Sequence, residues 1–236
     1  MSGGGLIRRK PPFESAAVAG IAYAMLSGVT VTLLRGVDVT LPDGELVSWY
    51  GDNTNRSRIV LALSLASIAA VMFLWFVAVI RRRVGDLEDR FFATVFFGSA
   101  IVWVVVWLAG VASVAAVPLA QQMGGTWELT ADAVRVSQGL AAAWLLLIGP
   151  RIQAVFVVST STVFLRTSVL PKWIAYLGYA LGLALFVVPA AWRDIPFVFP
   201  LWVLVVSITI LIVRGRRVGK NNHPTNQMIA TEEPDQ

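Results

Sequence analysis

Six stretches of the chain are almost free of charge: Ser15 to Leu34, Ile59 to Ile80, Phe91 to Leu119, Val134 to Leu165, Trp173 to Trp192 and Phe197 to Val213. Each reaches the range of about 17 to 25 residues that a helix needs to cross a hydrocarbon layer of ~30 Å, and two exceed it. A buried helix of a water-soluble domain is rarely so long and so apolar, least of all six times in one chain. A segment in lipid must satisfy its backbone hydrogen bonds internally, which leaves helices or a closed barrel. The runs are continuous rather than alternating at period two, so helices are expected. The sequence predicts an all-α fold, a polytopic transmembrane helical bundle over 15–213 with six spans. Composition agrees: 57% of residues are hydrophobic and 14% charged, against roughly 45–50% and 25% in soluble domains.

Lysine and arginine set the orientation, because short loops rich in them stay on the cytoplasmic side. One side collects the basic residues of 8–10, 81–90, 166–172 and 214–220, thirteen of the nineteen in the chain. The other side has Arg35, Arg56, Arg58, Arg135 and Arg193, offset by seven acids. Both termini are therefore expected in the cytoplasm, on a multi-pass protein of the plasma membrane. The apolar core before Ala22-Tyr23-Ala24 is shorter than a signal peptide requires, so the first run is expected to stay as a span. The tails, 1–14 and 214–236, are polar or Gly-rich and are expected to be disordered. The net charge of +5 sits at span ends, where its partner is the anionic lipid of the cytoplasmic face. A folded basic face interleaved with aromatics is missing, so nucleic acid is not an expected partner.

The chain has no cysteine, and its single histidine, His223, lies in the polar tail. Thiolate metal sites, thiol nucleophiles and bis-imidazole haem are thereby excluded for this chain alone. The dense charge cluster "RRRVGDLEDR" at 81–90 has the pattern of a solvated turn in which Asp86, Glu88 and Asp89 pair with Arg82, Arg83 or Arg90. The expectation is a protein that is not an enzyme, with no cofactor and no metal. In the segment 35–58, Trp49 and Tyr50 suit an interfacial belt, and Asn55-Arg56-Ser57 matches a glycosylation acceptor. Asp43, Asp52, Asn53 and Asn55 lack the spacing of a calcium loop. Short connections at 170–173 and 193–196 predict that spans four, five and six are sequential antiparallel neighbours.

Helices in lipid associate through small residues that let backbones approach. Ala16, Gly20, Ala24 and Gly28 recur every four residues in the first run, and Gly178 and Gly182 form a GxxxG in the fifth. These are the expected packing faces, within the chain or in a homo-oligomer.

Arg151 interrupts the fourth run, just after Gly149-Pro150. A proline there should kink or open the helix and leave the Leu146 carbonyl without its donor. At 100° per residue Arg151 shares a face with Ser159, Thr162 and Arg166, and it lies about 22 Å from Arg166 along the axis, near mid-membrane. An intramembrane charge must face protein, water or headgroups. One expectation is that Arg151 donates to backbone carbonyls and to hydroxyls such as Ser27, Ser64 or Ser67. The other is an anion or lipid-headgroup site built from Arg151, Ser159, Thr162 and Arg166.

The run carrying Arg151, "STST" at 159–162, "LP" and Trp at 170–173, "LGY" at 177–179 and "FPLW" at 199–202 resembles an uncharacterised family of six-span integral membrane proteins common in high-GC Gram-positive bacteria. The resemblance covers about the last ninety residues of the spans. It implies a bacterial plasma membrane and carries no activity. The function expected is that of a non-catalytic assembly, regulatory or scaffold partner in the plasma membrane. The alternative is a transporter or binder of a small anion or lipid headgroup along the Arg151 strip.

Overall fold

A computed structural model describes residues 14–36, 38–84, 90–124, 128–187 and 194–221. Of the charge cluster expected at 81–90, residues 85–89 lie outside the described residues, as do 1–13 and 222–236 of the two tails. The described chain is all-α: α1 (Glu14–Leu34), α2 (Asp43–Gly51), α3 (Asn53–Val84), α4 (Arg90–Gln122), α5 (Ala131–Ala142), a π-helical turn (Ala143–Ile148), α6 (Gly149–Thr167), α7 (Lys172–Val187) and α8 (Ile195–Asn221). Five segments are long and apolar enough to cross a membrane: Ser15–Leu34, Asn53–Arg82, Thr94–Gln122, Ala131–Thr167 and Ile195–Val213. α7 is apolar but shorter. Its sixteen residues span about 24 Å, and the rest of the expected run to Trp192 falls outside the described residues. α8 continues past the expected span end at Val213 into the basic stretch, as far as Asn221.

The helices pack in the order α8, α1, α3, α4, α6, α7. Five rings, one from each of the five long segments, meet at the centre: Tyr23, Phe73, Trp103, Phe156 and Phe199, none more than 3% exposed. Phe73 and Phe199 are the hubs. Phe73 lies 4.9 Å from Tyr23, 5.2 Å from Phe156 and 5.7 Å from Phe199, and Phe199 lies 5.4 Å from Trp103. Most of these pairs meet edge to face, the arrangement that ring quadrupoles favour. Lipid tails are as apolar as leucine, so dense packing of this kind, not expulsion from water, holds such helices together. Two of the indole N–H groups that the cluster buries find acceptors, Trp103 donating to the Tyr23 hydroxyl at 3.2 Å and Trp107 to the Ala66 carbonyl at 3.3 Å, whereas that of Trp202 has none among the described residues.

The expectation that spans four, five and six are successive neighbours needs correction. α7 packs on α6, but α8 makes little contact with α7 and packs on α1, touching α6 only lightly. The reason lies in the side chains. α7 has a single small face, Gly178 and Gly182, which abuts Ser161 and Val158 of α6, while Trp173, Tyr176, Leu183 and Phe186 are exposed to the surroundings. α8 carries a buried Ser207 into the space that Gly20 leaves on α1.

The segment 35–58 is also more structured than expected. α2 lies across one end of the bundle, with Leu46 and Tyr50 buried in a second apolar cluster with Ile59, Val114 and Val134. Tyr50 is not an interfacial belt residue, as its position suggested, but a fully buried one. The Gln138 amide donates to its hydroxyl at 2.6 Å, and burial pushes its phenol up to about 12. Arg135 ties α5 to this cap, reaching the Asp43 carboxylate at 2.7 Å and the Leu41 carbonyl at 3.2 Å. Asp52 starts α3: its carboxylate accepts from the backbone N–H groups of Thr54 and Asn55 at 2.8 and 3.1 Å, the N-cap role.

Candidate functional site

The sequence singles out Arg151, and the backbone around it is unusual. Proline at 150 lacks an N–H, and the chain meets this with a π-helical turn over Ala143–Ile148 in which the Gly149 N–H reaches back to the Trp144 carbonyl. Pro150 thereby falls in the first turn of a fresh helix, where a missing donor costs nothing. Single π turns inside α-helices concentrate at functional sites.

Arg151 donates to the Leu147 carbonyl, one turn before it on the same face. The backbone-carbonyl expectation therefore describes its contact, but none of the hydroxyls named with it is its partner. Ser64 and Ser67 donate to the Val60 and Leu63 carbonyls of their own helix, and the Ser27 hydroxyl is buried without a partner.

Arg151 lies beside the C-terminal part of α7. Gly182 of α7 abuts Ala154 and Val158 of α6. Arg151 is three residues, about 4.5 Å, from Ala154 toward the end of α6 that faces the C-terminal part of α7.

The strip expected along α6 is not assembled as a cluster of free donors. Ser159 donates to the Val155 carbonyl at 2.7 Å and Thr162 to the Val158 carbonyl at 2.9 Å. With its proton so committed, Thr162 accepts from the Tyr179 hydroxyl of α7 at 2.8 Å. Thr160 and Ser161 back-bond to Phe156 and Val157 in the same way. Among the described residues no two of Arg151, Ser159 and Thr162 hydrogen-bond to each other; Arg166, a turn further, has contacts of its own. What the strip borders is a groove between α6 and α7 of about 330 Å³, lined by Val155, Val158, Ser159, Tyr179, Gly182 and Phe186. No group of three or more His, Cys, Asp or Glu residues suited to a metal ion occurs among the described residues.

The packing residues divide into two kinds. Ala16 and Gly20 are buried, and a methyl group on Gly20 would overlap Ser207 and approach Phe76 to 2.8 Å. Gly178 and Gly182 are similarly filled, by Ser161 and Val158. Gly28 differs: a methyl group there would meet nothing within 4 Å. With Ala24, Thr32 and Phe197 it lines an open groove of about 380 Å³ on the side of α1.

Sequence reasoning missed a third feature, a cavity of about 180 Å³ where α1, α4, α5, the π turn and the start of α8 converge. Arg35 stands at it, ion-paired with Asp194 and stacked on the Phe197 ring at 4.2 Å. No sequence signal marks the place, since its residues come from four separate segments. No protein-family model matches the chain, and neither a curated protein nor a solved structure matches it.

Proposed function

We propose that this chain is a non-catalytic integral membrane protein that serves as an assembly, regulatory or scaffold partner of other helices in the plasma membrane. In this reading α7, with the residues that follow it, completes six spans, and both termini lie in the cytoplasm. The observation that carries the proposal is the sealed centre of the bundle. Rings from five helices fill it, leaving at that level neither a conduit for solute nor a chamber for chemistry, so the protein acts through its sides. The side that offers a contact is the Ala24 and Gly28 half of α1, where small residues leave room for another helix backbone. Mild-detergent extraction followed by cross-linking should recover a defined complex, a homo-oligomer or a stoichiometric partner, that is lost in Gly28→Leu. A monodisperse monomer, or a complex indifferent to that substitution, would contradict the reading.

The headgroup-binding alternative keeps one supporting observation. Arg151 lies at the head of the α6–α7 groove, and of its five N–H donors only one contact, to Leu147, is made. A phosphate at that level with an acyl chain along the groove fits this geometry. Native mass spectrometry of the purified chain should then show retained anionic lipid that is lost in Arg151→Gln; equal retention in both would remove the alternative.

A further inference from the structure

The cavity at the α2 end owes its existence to a step in the bundle. Tyr23 and Phe199 pack ring to ring at 6.1 Å and so mark one level. From Tyr23, α1 rises eleven residues to Leu34, about 16 Å, while from Phe199 α8 reaches back only four residues to Ile195, about 6 Å. The start of α8 therefore forms a shelf roughly 10 Å below the end of α1. Above the shelf stand the walls of the cavity: Val31 and Leu34 of α1, Trp107 of α4, Ala142 of α5, Leu145 of the π turn and, beneath, Pro196. Wider packing of the π turn, with its extra residue, places Leu145 beside Gly110 of α4.

Among the described residues two polar side chains line this space, Arg35 and Gln138. Gln138 is held by its bond to Tyr50. Arg35 bridges the step down to Asp194 and lies over Phe197. Both partners of that ion pair are largely open to solvent, 44% and 60% exposed, so an incoming anion can exchange with Asp194 at little cost. An apolar cavity with one guanidinium at its mouth matches a ligand with an apolar body and an anionic head. A volume of about 180 Å³ holds the equivalent of about six waters at ~30 Å³ each, enough for a short alkyl segment but not for a whole lipid.

We propose that this cavity binds the alkyl segment of an anionic amphiphile, a phosphate- or carboxylate-headed chain, whose head takes Arg35 from Asp194. Asp194 is then a built-in competitor for the ligand's head, and the π turn shapes the wall against which the chain lies.

The test is equilibrium binding of radiolabelled octyl phosphate to the full-length chain in zwitterionic nanodiscs, with octanol and inorganic phosphate as the separate body and head. Octyl phosphate should bind saturably, and neither octanol nor phosphate alone should match it. Arg35→Gln should weaken binding by about tenfold, the loss of a charge-assisted contact, and Ala142→Leu, which fills the cavity, should do likewise. Asp194→Asn should tighten binding about threefold by removing the competitor, a gain that damaged folding does not produce. Should Arg35→Gln misfold, the opposite responses of Asp194→Asn and Ala142→Leu still decide the matter. Non-saturable uptake, octanol or phosphate binding as well as octyl phosphate, or binding unchanged in Asp194→Asn and Ala142→Leu would overturn the proposal.

Discussion

Three glycines on two helices illustrate how far residue identity alone can be taken. Gly20, Gly28 and Gly178 look equivalent in the sequence, each part of a small-residue repeat at a spacing of four. In the structure Gly20 and Gly178 are closed by Ser207 and Ser161, whereas Gly28 is open. Overpacking costs about 1–3 kcal/mol, so Gly20→Ala and Gly178→Ala should each lower the thermal midpoint in detergent while Gly28→Ala leaves it unchanged. Ser161→Ala should restore much of what Gly178→Ala loses, a coupling that a double-mutant cycle measures. The repeats were legible because period four is a sequence property; which members are filled depends on neighbours from distant segments and is not. The same limit applies to Arg151. Its charge and the proline before it were plain, but the π turn that absorbs Pro150, and the Leu147 carbonyl that receives the guanidinium, follow from local backbone geometry that no spacing encodes. Asp52 gives a pH-dependent case. Its carboxyl is held below the ordinary value of 3.8, first by the Asn55 N–H and then by the Thr54 N–H. A carboxyl whose folded value is depressed adds stability above its unfolded value and loses it as pH falls through the folded one. Asp52→Ala should therefore be less stable than the parent at pH 7, with the difference shrinking below about pH 4.

At the scale of elements, the long helices were readable from length and hydropathy, since both are direct demands of the lipid solvent. The order in which they pack was not. Short connections suggested that α6, α7 and α8 lie side by side, but a short loop constrains only where a helix starts. The small face of α7 matches α6, and Ser207 of α8 matches Gly20 of α1, so contacts rather than connectivity place α8. The cap helix α2 was invisible as an element because its nine residues carry no long pattern; only its buried Leu46 and Tyr50 and the Gln138 bond fix it. α2 should then come free before the bundle does. Tyr50→Phe, which removes the hydroxyl and leaves the half-buried Gln138 amide without that partner, should cost about 1 kcal/mol. Hydrogen exchange should show the loss in α2 and the start of α5, with α3, α4 and α8 protected as before. Uniform loss of protection across all helices would show that α2 is part of the bundle's own cooperative unit.

The whole molecule is organised around one plug of rings. Deleting a hub ring leaves a void that the other four helices cannot fill without moving, and Phe→Ala in a packed core costs about 3–5 kcal/mol. Phe73→Ala or Phe199→Ala should accordingly compromise the entire bundle, in contrast to the same change at the exposed Phe186. How the bundle sits in the membrane turns on α7, whose described length is the shortest of the apolar helices. If α7 and the residues beyond it cross, the ends of the chain lie on one face. The chain contains no cysteine, so single cysteines can be introduced without background. Gly85→Cys, between α3 and α4, and Thr225→Cys, beyond α8, should react with a membrane-impermeant maleimide only after the cytoplasmic side is opened, while Gly44→Cys, on α2, reacts from outside in intact cells. Thr225→Cys labelled together with Gly44→Cys in intact cells would contradict six crossings and the shared cytoplasmic placement of the termini.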